Sequence, residues 1–161
     1  MSSHHVCISL SGYWSEYNCG LMPHQSGVFC VYRARFDAAA PAAATMLELL
    51  HVGAAEDVNR CVHEAVDTGC WRTALAAREV LMFSCGPLDP IDLVRCQDAL
   101  VRQHRPRLNP APKGHYPHGY LAVTLRHHTP LLQRRFTVGQ PPRGGGGLPG
   151  LGLLRRWGWS G

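Results

Sequence analysis

Three segments of the chain have the pattern of hydrophobic and polar positions that predicts β-strands. Residues 28–36 are rich in β-branched and aromatic side chains, residues 46–52 return to that pattern, and residues 80–85 form a short apolar run typical of buried strands. Residues 37–45 are mostly alanine, but Pro41 in their middle disfavours a helix. We therefore predict that the first two strands form a hairpin joined by a long loop.

The pattern changes to that of an amphipathic helix after Glu56. One face of this helix is apolar and consists of Val58, Cys61, Val62, Ala65 and Val66. Gly69 is expected to end the helix, because glycine adopts the left-handed conformation that often follows a helix. Residues 71–77 suit a short second helix.

A third helix is predicted to begin after Asp89 and to reach about His104. Asp89 is a suitable N-cap, and Pro90 suits the first helical position because that position needs no backbone donor. Pro106 is expected to end this helix, since proline cannot continue it.

The flanking segments differ in composition from the region that contains these elements. Residues 1–23 show no sustained period and are predicted to be a loosely ordered lead-in, in which residues 6–10 can form a short strand. Residues 111–161 are rich in proline, glycine and arginine and are predicted to be an extension, largely disordered after residue 142. Within it, residues 120–125 and 135–138 can add short strands or pack back on the core.

The charge distribution places the positive charge in this extension. The 161 residues suffice for one domain of ordinary size plus extensions, and the formal net charge is +5. Residues 110–161 hold seven basic residues and no acidic one, whereas the preceding part is near neutral. Arginines interleaved with aromatic residues can contact phosphates and stack on bases. The predicted nucleic-acid-binding residues are Arg134, Arg135, Arg143, Arg155 and Arg156.

The seven cysteines are predicted to be free thiols in a reducing cytoplasm. Their number is odd, their spacing is wide, and no secretory signal precedes them. No stretch approaches the roughly 20 apolar residues of a membrane-spanning helix, so no membrane partner is expected. The chain also lacks a Cys-x-x-Cys pair, which argues against a structural zinc site.

Three motifs occur in a fixed order in the predicted core: GVFCVY at residues 27–32, LHVGAAEDV at residues 50–58 and LVRQHRPRLN at residues 100–109. Together they resemble the GIY-YIG nuclease domain. The resemblance implies an α+β domain over residues 24–110, with a small antiparallel three-stranded sheet flanked by helices. It also implies hydrolysis of nucleic-acid phosphodiesters with one divalent cation, Mg²⁺ or Mn²⁺, if the chain is active, and otherwise no cofactor.

The chain departs from the family pattern at the positions that carry the chemistry. Phe29 stands where the family has its first tyrosine, His51 where it has the second, and Gln97 where it has the metal-binding glutamate. The resemblance then implies His51 as general base, since imidazole titrates near neutrality, and Gln97 as a weak metal ligand. Arg60 and His63 are the candidates for holding the phosphate. Asn109, at the end of the last motif, is the remaining catalytic candidate.

Three hypotheses on function follow. The first is a diverged metal-dependent endonuclease with weakened or lost activity. The second is a non-catalytic pseudo-nuclease that binds DNA, RNA or a protein partner. The third is a repurposed fold that acts on a small molecule, with Cys61 near His63 as the nucleophile.

Overall fold

The computed structural model describes residues 4–37 and 39–143, which form one mixed six-stranded sheet, curled into a half-barrel, with two α-helices. The elements, in chain order, are β1 (His5–Ser15), β2 (Gly27–Asp37), β3 (Ala40–Ala55), α1 (Val58–Thr68), β4 (Glu79–Pro87), α2 (Leu93–His104), β5 (Tyr120–His127) and β6 (Arg135–Gly139). The order across the sheet is β3–β2–β4–β1–β5–β6. β1 and β5 are parallel, and the other neighbouring pairs are antiparallel.

The predicted small antiparallel three-stranded sheet is wrong. The three predicted strands exist as β2, β3 and β4, but β1 pairs with the second edge of β4 and joins it to β5 and β6. The reason lies in the predicted lead-in, because the strand expected near residues 6–10 exists and extends over all of β1, with strict alternation between exposed and buried side chains at residues 5–10. The short strands predicted at residues 120–125 and 135–138 are confirmed as β5 and β6.

The long loop predicted at residues 37–45 is also wrong. β3 begins at Ala40, and the Asp37 carboxylate accepts a hydrogen bond from the Ala39 N–H (2.9 Å) in the tight connection from β2. Pro41 lies within β3, which is an outer strand of the sheet. An outer strand tolerates proline because only one of its edges has to donate hydrogen bonds to a neighbour.

The predicted boundaries of α1 are confirmed by its capping groups. The Asp57 carboxylate accepts a hydrogen bond from the Arg60 N–H (3.1 Å), and Gly69 follows the helix with a left-handed φ of 68°. The short helix predicted at residues 71–77 is instead a single 3₁₀ turn at Arg72–Ala74.

The predicted end of α2 is confirmed, whereas the α-helix begins at Leu93, three residues later than predicted. Asp89 caps a 3₁₀ turn at Pro90–Asp92, accepting a hydrogen bond from the Ile91 N–H (3.0 Å), and α2 continues from this turn. Helix α2 ends at His104, two residues before Pro106.

The sheet curls around α2. This helix contacts both β3 and β6, the two outermost strands of the sheet. The core between α2 and the inner face of the sheet includes Ile8, Leu10, Cys30, Tyr32, Cys96, Leu100, Leu121, Val123 and Leu125. Neither described helix is long and apolar enough to cross a membrane.

Helix α1 lies on the other face of the sheet and covers only part of it. The outer core includes Phe29, Val31, Leu50, Val58, Val62, Trp71, Leu81 and Phe83. These residues belong to β2, β3, β4 and α1 or follow α1 directly. The outer face of β5 and β6 is therefore left without a covering helix in the part of the chain that the structure describes.

Candidate nucleic-acid interface

His51, the predicted general base, lies on the outer face of β3 among aromatic rings. The pairing of β2 with β3 shifts by one residue between His51 and Leu49. The centroid of the His51 ring lies 6.0 Å from that of Phe29 and 5.7 Å from that of Trp71. Burial lowers the pKa of His51, which keeps the imidazole neutral near pH 7. No hydrogen bond or ion pair to another described residue fixes the orientation of its ring nitrogens.

Gln97 and Asn109 meet at the backbone of Val52, on the free edge of β3. The Asn109 side chain accepts a hydrogen bond from the Val52 N–H (2.8 Å) and donates one to the Val52 carbonyl (2.9 Å). The Gln97 amide donates to the same carbonyl (3.2 Å). These amides complete the hydrogen bonding of an outer strand, which would otherwise present unpaired backbone groups.

The side chains gathered at Val52 do not fit a Mg²⁺ or Mn²⁺ site. Such ions are held by charged carboxylates and are poorly held by neutral amides. Gln97 and Asn109 are neutral and already bonded to the strand. Within residues 4–37 and 39–143, no group of three or more His, Cys, Asp or Glu side chains could hold a metal ion.

Arg60 and His63, the predicted phosphate-binding residues, lie on the exposed surface of α1. Arg60 donates to the Glu64 carboxylate (3.0 Å), and the His63 Nε2 atom lies 3.5 Å from the Asp67 carboxylate. Both side chains are thus engaged with acidic neighbours on their own helix. Neither contributes to the aromatic cluster around His51.

The thiol found in contact with the His63 ring is that of Cys19. The Cys19 Sγ atom lies 4.0 Å from the His63 Nδ1 atom, and Cys19 is buried. Burial is the main cause that raises the pKa of the Cys19 and Cys61 thiols. A nucleophilic cysteine needs a lowered pKa, so this arrangement does not favour thiol chemistry.

A basic groove of about 390 Å³ lies beside the β5–β6 hairpin. Its lining residues are Thr124, Leu125, Arg126, Gln133, Arg134 and Arg135. The antiparallel register places Thr124 opposite Arg135, and the Leu125 N–H donates to the Arg134 carbonyl (2.7 Å). The hairpin therefore brings arginines from both strands and from their connection to one depression.

No carboxylate within residues 4–37 and 39–143 forms an ion pair with these arginines. All eleven acidic residues of the chain lie at or before Asp98. Arg126, Arg134 and Arg135 are exposed, and none of them takes part in a salt bridge with another described residue. Unpaired guanidinium groups that converge on one groove suit an anion with several phosphates.

The outer face of the sheet continues the groove as an open surface. Beside Arg126 and Thr124 of β5, the parallel strand β1 presents Ser9 and Cys7 at the paired positions, and all four side chains are at least partly exposed. At the far end of β5, the Tyr120 ring lies 6.3 Å from that of His4. Between the arginines and this aromatic pair, Ala122 and Cys7 are small, and the His5 ring lies 2.9 Å from the Thr124 hydroxyl. An extended polymer that follows this face therefore also meets the His5 ring.

Two of the predicted nucleic-acid-binding residues, Arg134 and Arg135, line this groove, and a third, Arg143, is exposed beyond β6. Arg155 and Arg156 lie outside the described residues. Arg126 and Gln133 were missed, although the alternation of residues 120–127 places Arg126 on the outer face beside Thr124.

Comparison with protein-family models, with curated proteins and with solved structures finds no match to this chain.

Proposed function

We propose that this chain is a non-catalytic nucleic-acid-binding module, which contacts the phosphate backbone through the arginine groove beside the β5–β6 hairpin. The observation that carries the proposal is the convergence of Arg126, Arg134 and Arg135 on one groove without an acidic residue. Phosphate contacts of this kind supply most of the affinity in sequence-independent binding.

The dimensions of the outer face support an extended polyanion over a small ligand. From Arg126 to Tyr120 the strand spans about 20 Å, at about 3.3 Å per residue. A nucleic-acid strand can run along this length with phosphates at the groove and a base beside the Tyr120 ring, since aromatic rings stack on bases without sequence preference.

The proposal excludes cleavage because the predicted catalytic residues are engaged elsewhere. Gln97 and Asn109 hold the edge of β3, and Arg60 and His63 have acidic partners on α1. His51 can accept a proton, but the described residues contain no group of three or more His, Cys, Asp or Glu side chains that could hold a metal ion beside it. Metal-dependent phosphodiester hydrolysis needs such an ion together with the base, so the arrangement around His51 supports binding over cleavage.

Binding to labelled duplex and single-stranded oligonucleotides, measured by fluorescence anisotropy over a salt series, tests this function. If each groove arginine neutralises one phosphate, the slope of log K against log salt concentration for duplex is about −3. The variant Arg126→Ala/Arg134→Ala/Arg135→Ala is expected to abolish this slope and most of the affinity. The control Arg60→Ala/Arg72→Ala/Arg78→Ala removes the same number of charges away from the groove and is expected to bind normally.

Equal losses in the two triple variants would show that only net charge matters and would contradict a site at the groove. Heparin serves as a competing polyanion without bases, and stronger competition by oligonucleotides than by heparin is expected if Tyr120 stacks on a base. The same samples are incubated with Mg²⁺ and Mn²⁺. Metal-dependent cutting would contradict the non-catalytic part of the proposal.

A further inference from the structure

His104 connects α2 to the loop that carries part of the arginine groove. The last turn of α2 presents the His104 ring to the β5–β6 hairpin, where it packs edge-on against Phe136 with a centroid separation of 5.4 Å. The ring also lies within hydrogen-bonding distance of two backbone groups. One belongs to Leu100 of the same helix, and the other belongs to Gln133, which lines the groove.

These two hydrogen bonds define the protonation state of the ring. The Leu100 carbonyl can only accept, so the His104 Nδ1 atom, 3.0 Å away, must carry a proton. The Gln133 N–H can only donate, so the Nε2 atom, 2.9 Å away, must be unprotonated. The contact between α2 and the loop therefore requires neutral histidine, in one tautomer.

We propose that His104 is a positioning residue for the arginine groove: its neutral ring fastens the loop at Gln133 to α2, and protonation of the ring releases the loop. A protonated Nε2 would place one N–H donor against another and break the contact. The consequence for ligand binding rests on the proposed nucleic-acid function, whereas the release of the loop does not.

The surroundings of the ring oppose protonation. Burial lowers the pKa of His104, and the hydrogen bond to Leu100 only partly offsets this effect. The charged or titratable side chains of the last turn of α2, its C-cap and the β5–β6 hairpin near the ring are Arg102, Arg105, His127, His128, Arg134 and Arg135, and farther along the same elements are Arg95, Cys96, Asp98, Tyr120 and Arg126. Asp98 is the one carboxylate among them, and it is engaged with Arg102 (2.8 Å) and His118 (3.5 Å). No ion pair between a carboxylate and the His104 ring is found among the described residues, so none offsets the effect of burial.

The sign of the pH dependence follows from this lowered pKa. With the loop released, the imidazole has a pKa near its ordinary value of 6.5, and with the loop fastened the pKa is lower. The fastened state is therefore fully favoured above about pH 6.5 and is progressively lost as the pH falls below it. Going from pH 7.5 to pH 5.5 shifts the equilibrium toward release by up to about tenfold.

Amide hydrogen exchange at Gln133, followed by NMR in the full chain, measures the fastening directly. In the wild type, the protection factor of the Gln133 N–H is expected to fall by up to about tenfold between pH 7.5 and pH 5.5. In His104→Gln it is expected to stay constant, because the amide oxygen can replace Nε2 as acceptor and does not titrate. In His104→Phe, which keeps the ring contact with Phe136, protection is expected to be low at both pH values.

His128→Gln is the control within the same loop. The His128 ring donates to the Leu10 carbonyl (3.1 Å), and a protonated ring can still donate there. This variant is expected to keep the pH-dependent loss of protection at Gln133. A wild-type protection factor that does not change with pH, or an equal fall in His104→Gln, would overturn the proposal.

Duplex affinity provides the second readout. Both proteins share the other nine histidines, so any effect of those residues on affinity cancels in the ratio of wild-type to His104→Gln affinity. The two proteins are expected to bind equally at pH 7.5, and the wild type is expected to bind severalfold more weakly at pH 5.5. Equal affinities at both pH values would overturn the link to the ligand. If neither protein binds at any pH, the proposed function fails, and the exchange data still decide whether His104 fastens the loop.

Discussion

At the β3 end of the sheet, Arg33 lies between two carboxylates, whereas near the β6 end Arg135 lies in a groove with Arg126 and Arg134 and no acidic residue. Arg33 bonds to Glu79 on one neighbouring strand and to Glu48 on the other (3.2 Å). Arginine is therefore paired with carboxylates near the β3 end of the sheet and has no carboxylate partner in the groove near the β6 end.

The two ends differ because of what their neighbouring strands supply. Strands β3 and β4 each contribute one glutamate beside Arg33, and Arg107 adds a second cation to Glu48 (3.0 Å). The Arg107 guanidinium lowers the pKa of Glu48, and the hydrogen bond from the Ala76 N–H, followed by Arg33, lowers that of Glu79. Strands β5 and β6 contain no carboxylate at all. Arginine therefore joins strands at the first end and remains available to a ligand at the second.

Introducing a carboxylate into the groove should have the largest effect, because it gives the groove arginines an acidic partner like those of Arg33. Thr124→Glu places a carboxylate opposite Arg135 and two residues from Arg126. We expect duplex affinity at low salt to fall by about two orders of magnitude, since intramolecular pairs replace phosphate contacts. The free energy of unfolding should stay within about 1 kcal/mol of wild type, as expected for a cross-strand pair.

Two variants control this experiment. Thr124→Val removes the contact between the Thr124 hydroxyl and the His5 ring (2.9 Å) without adding a charge. Thr73→Glu adds the same charge at an exposed position of the 3₁₀ turn that follows α1, away from the residues that line the groove and from the outer face of β5 and β6. Both are expected to keep most of the affinity, and a loss in Thr73→Glu equal to that in Thr124→Glu would contradict a localised site.

Removing a carboxylate from the paired end should have the opposite result. The Glu79 side chain is only 1% exposed and bonds to Arg33 and to the Ala76 N–H (2.7 Å). Glu79→Gln leaves the Arg33 guanidinium without its closest charge partner, so we expect a clear fall in the urea midpoint with unchanged duplex affinity. Glu64→Gln on the exposed surface of α1 is the control and should shift the midpoint little.

The same carboxylates predict how stability depends on pH. The pKa values of Glu48 and Glu79 are lowered in the folded chain, so their contribution to stability is present above the ordinary glutamate value of 4.5 and is lost as the pH falls below it. Urea unfolding at pH 6 and pH 3.5 should show a smaller pH-dependent loss in Glu79→Gln than in the wild type. An equal loss in both proteins would show that Glu79 does not couple to folding.

Asn109→Ala should have an intermediate effect on stability. It leaves both the N–H and the carbonyl of Val52 without the Asn109 amide, so we expect the free energy of unfolding to fall by about 2 kcal/mol. Gln97→Ala removes one bond to a carbonyl that Asn109 still serves, and about 0.5 to 1 kcal/mol is expected. Equal losses would contradict the assignment of Asn109 as the main partner of the β3 edge.

Local signals in the sequence were sufficient to predict the middle of this fold. Asp57 and Gly69 bound α1, Asp89 begins the turn into α2, and the three apolar segments lie side by side as strands. Capping and periodicity act over a few residues, so they can be interpreted without knowledge of distant contacts.

The rest of the fold depends on contacts between distant parts of the chain. β1 pairs in parallel with β5, more than one hundred residues later, and nothing within residues 5–15 specifies that partner. The candidate site also depends on contacts between residues that are distant in the sequence. Arg134 and Arg135 were predicted as ligand contacts from the basic charge and interleaved aromatic residues of their segment, but the groove also contains Arg126, which the antiparallel register brings beside them. His51 packs against Phe29 and Trp71, and Gln97 bonds to the Val52 carbonyl, so their contacts also come from distant parts of the chain and not from their place in a motif.

Arg60→Ala should have the smallest effect of these substitutions. This outcome would separate the contribution of ion pairing from that of burial, because the Arg60 pair is exposed. The ion pair of Arg60 with Glu64 resembles that of Arg33 in distance, but the Arg60 and Glu64 side chains are 75% and 65% exposed. Water and salt screen such a pair, so Arg60→Ala should change neither the urea midpoint nor the duplex affinity measurably. A loss of affinity in this variant would contradict the comparison, because it would place a ligand on α1 and not only at the unpaired end of the sheet.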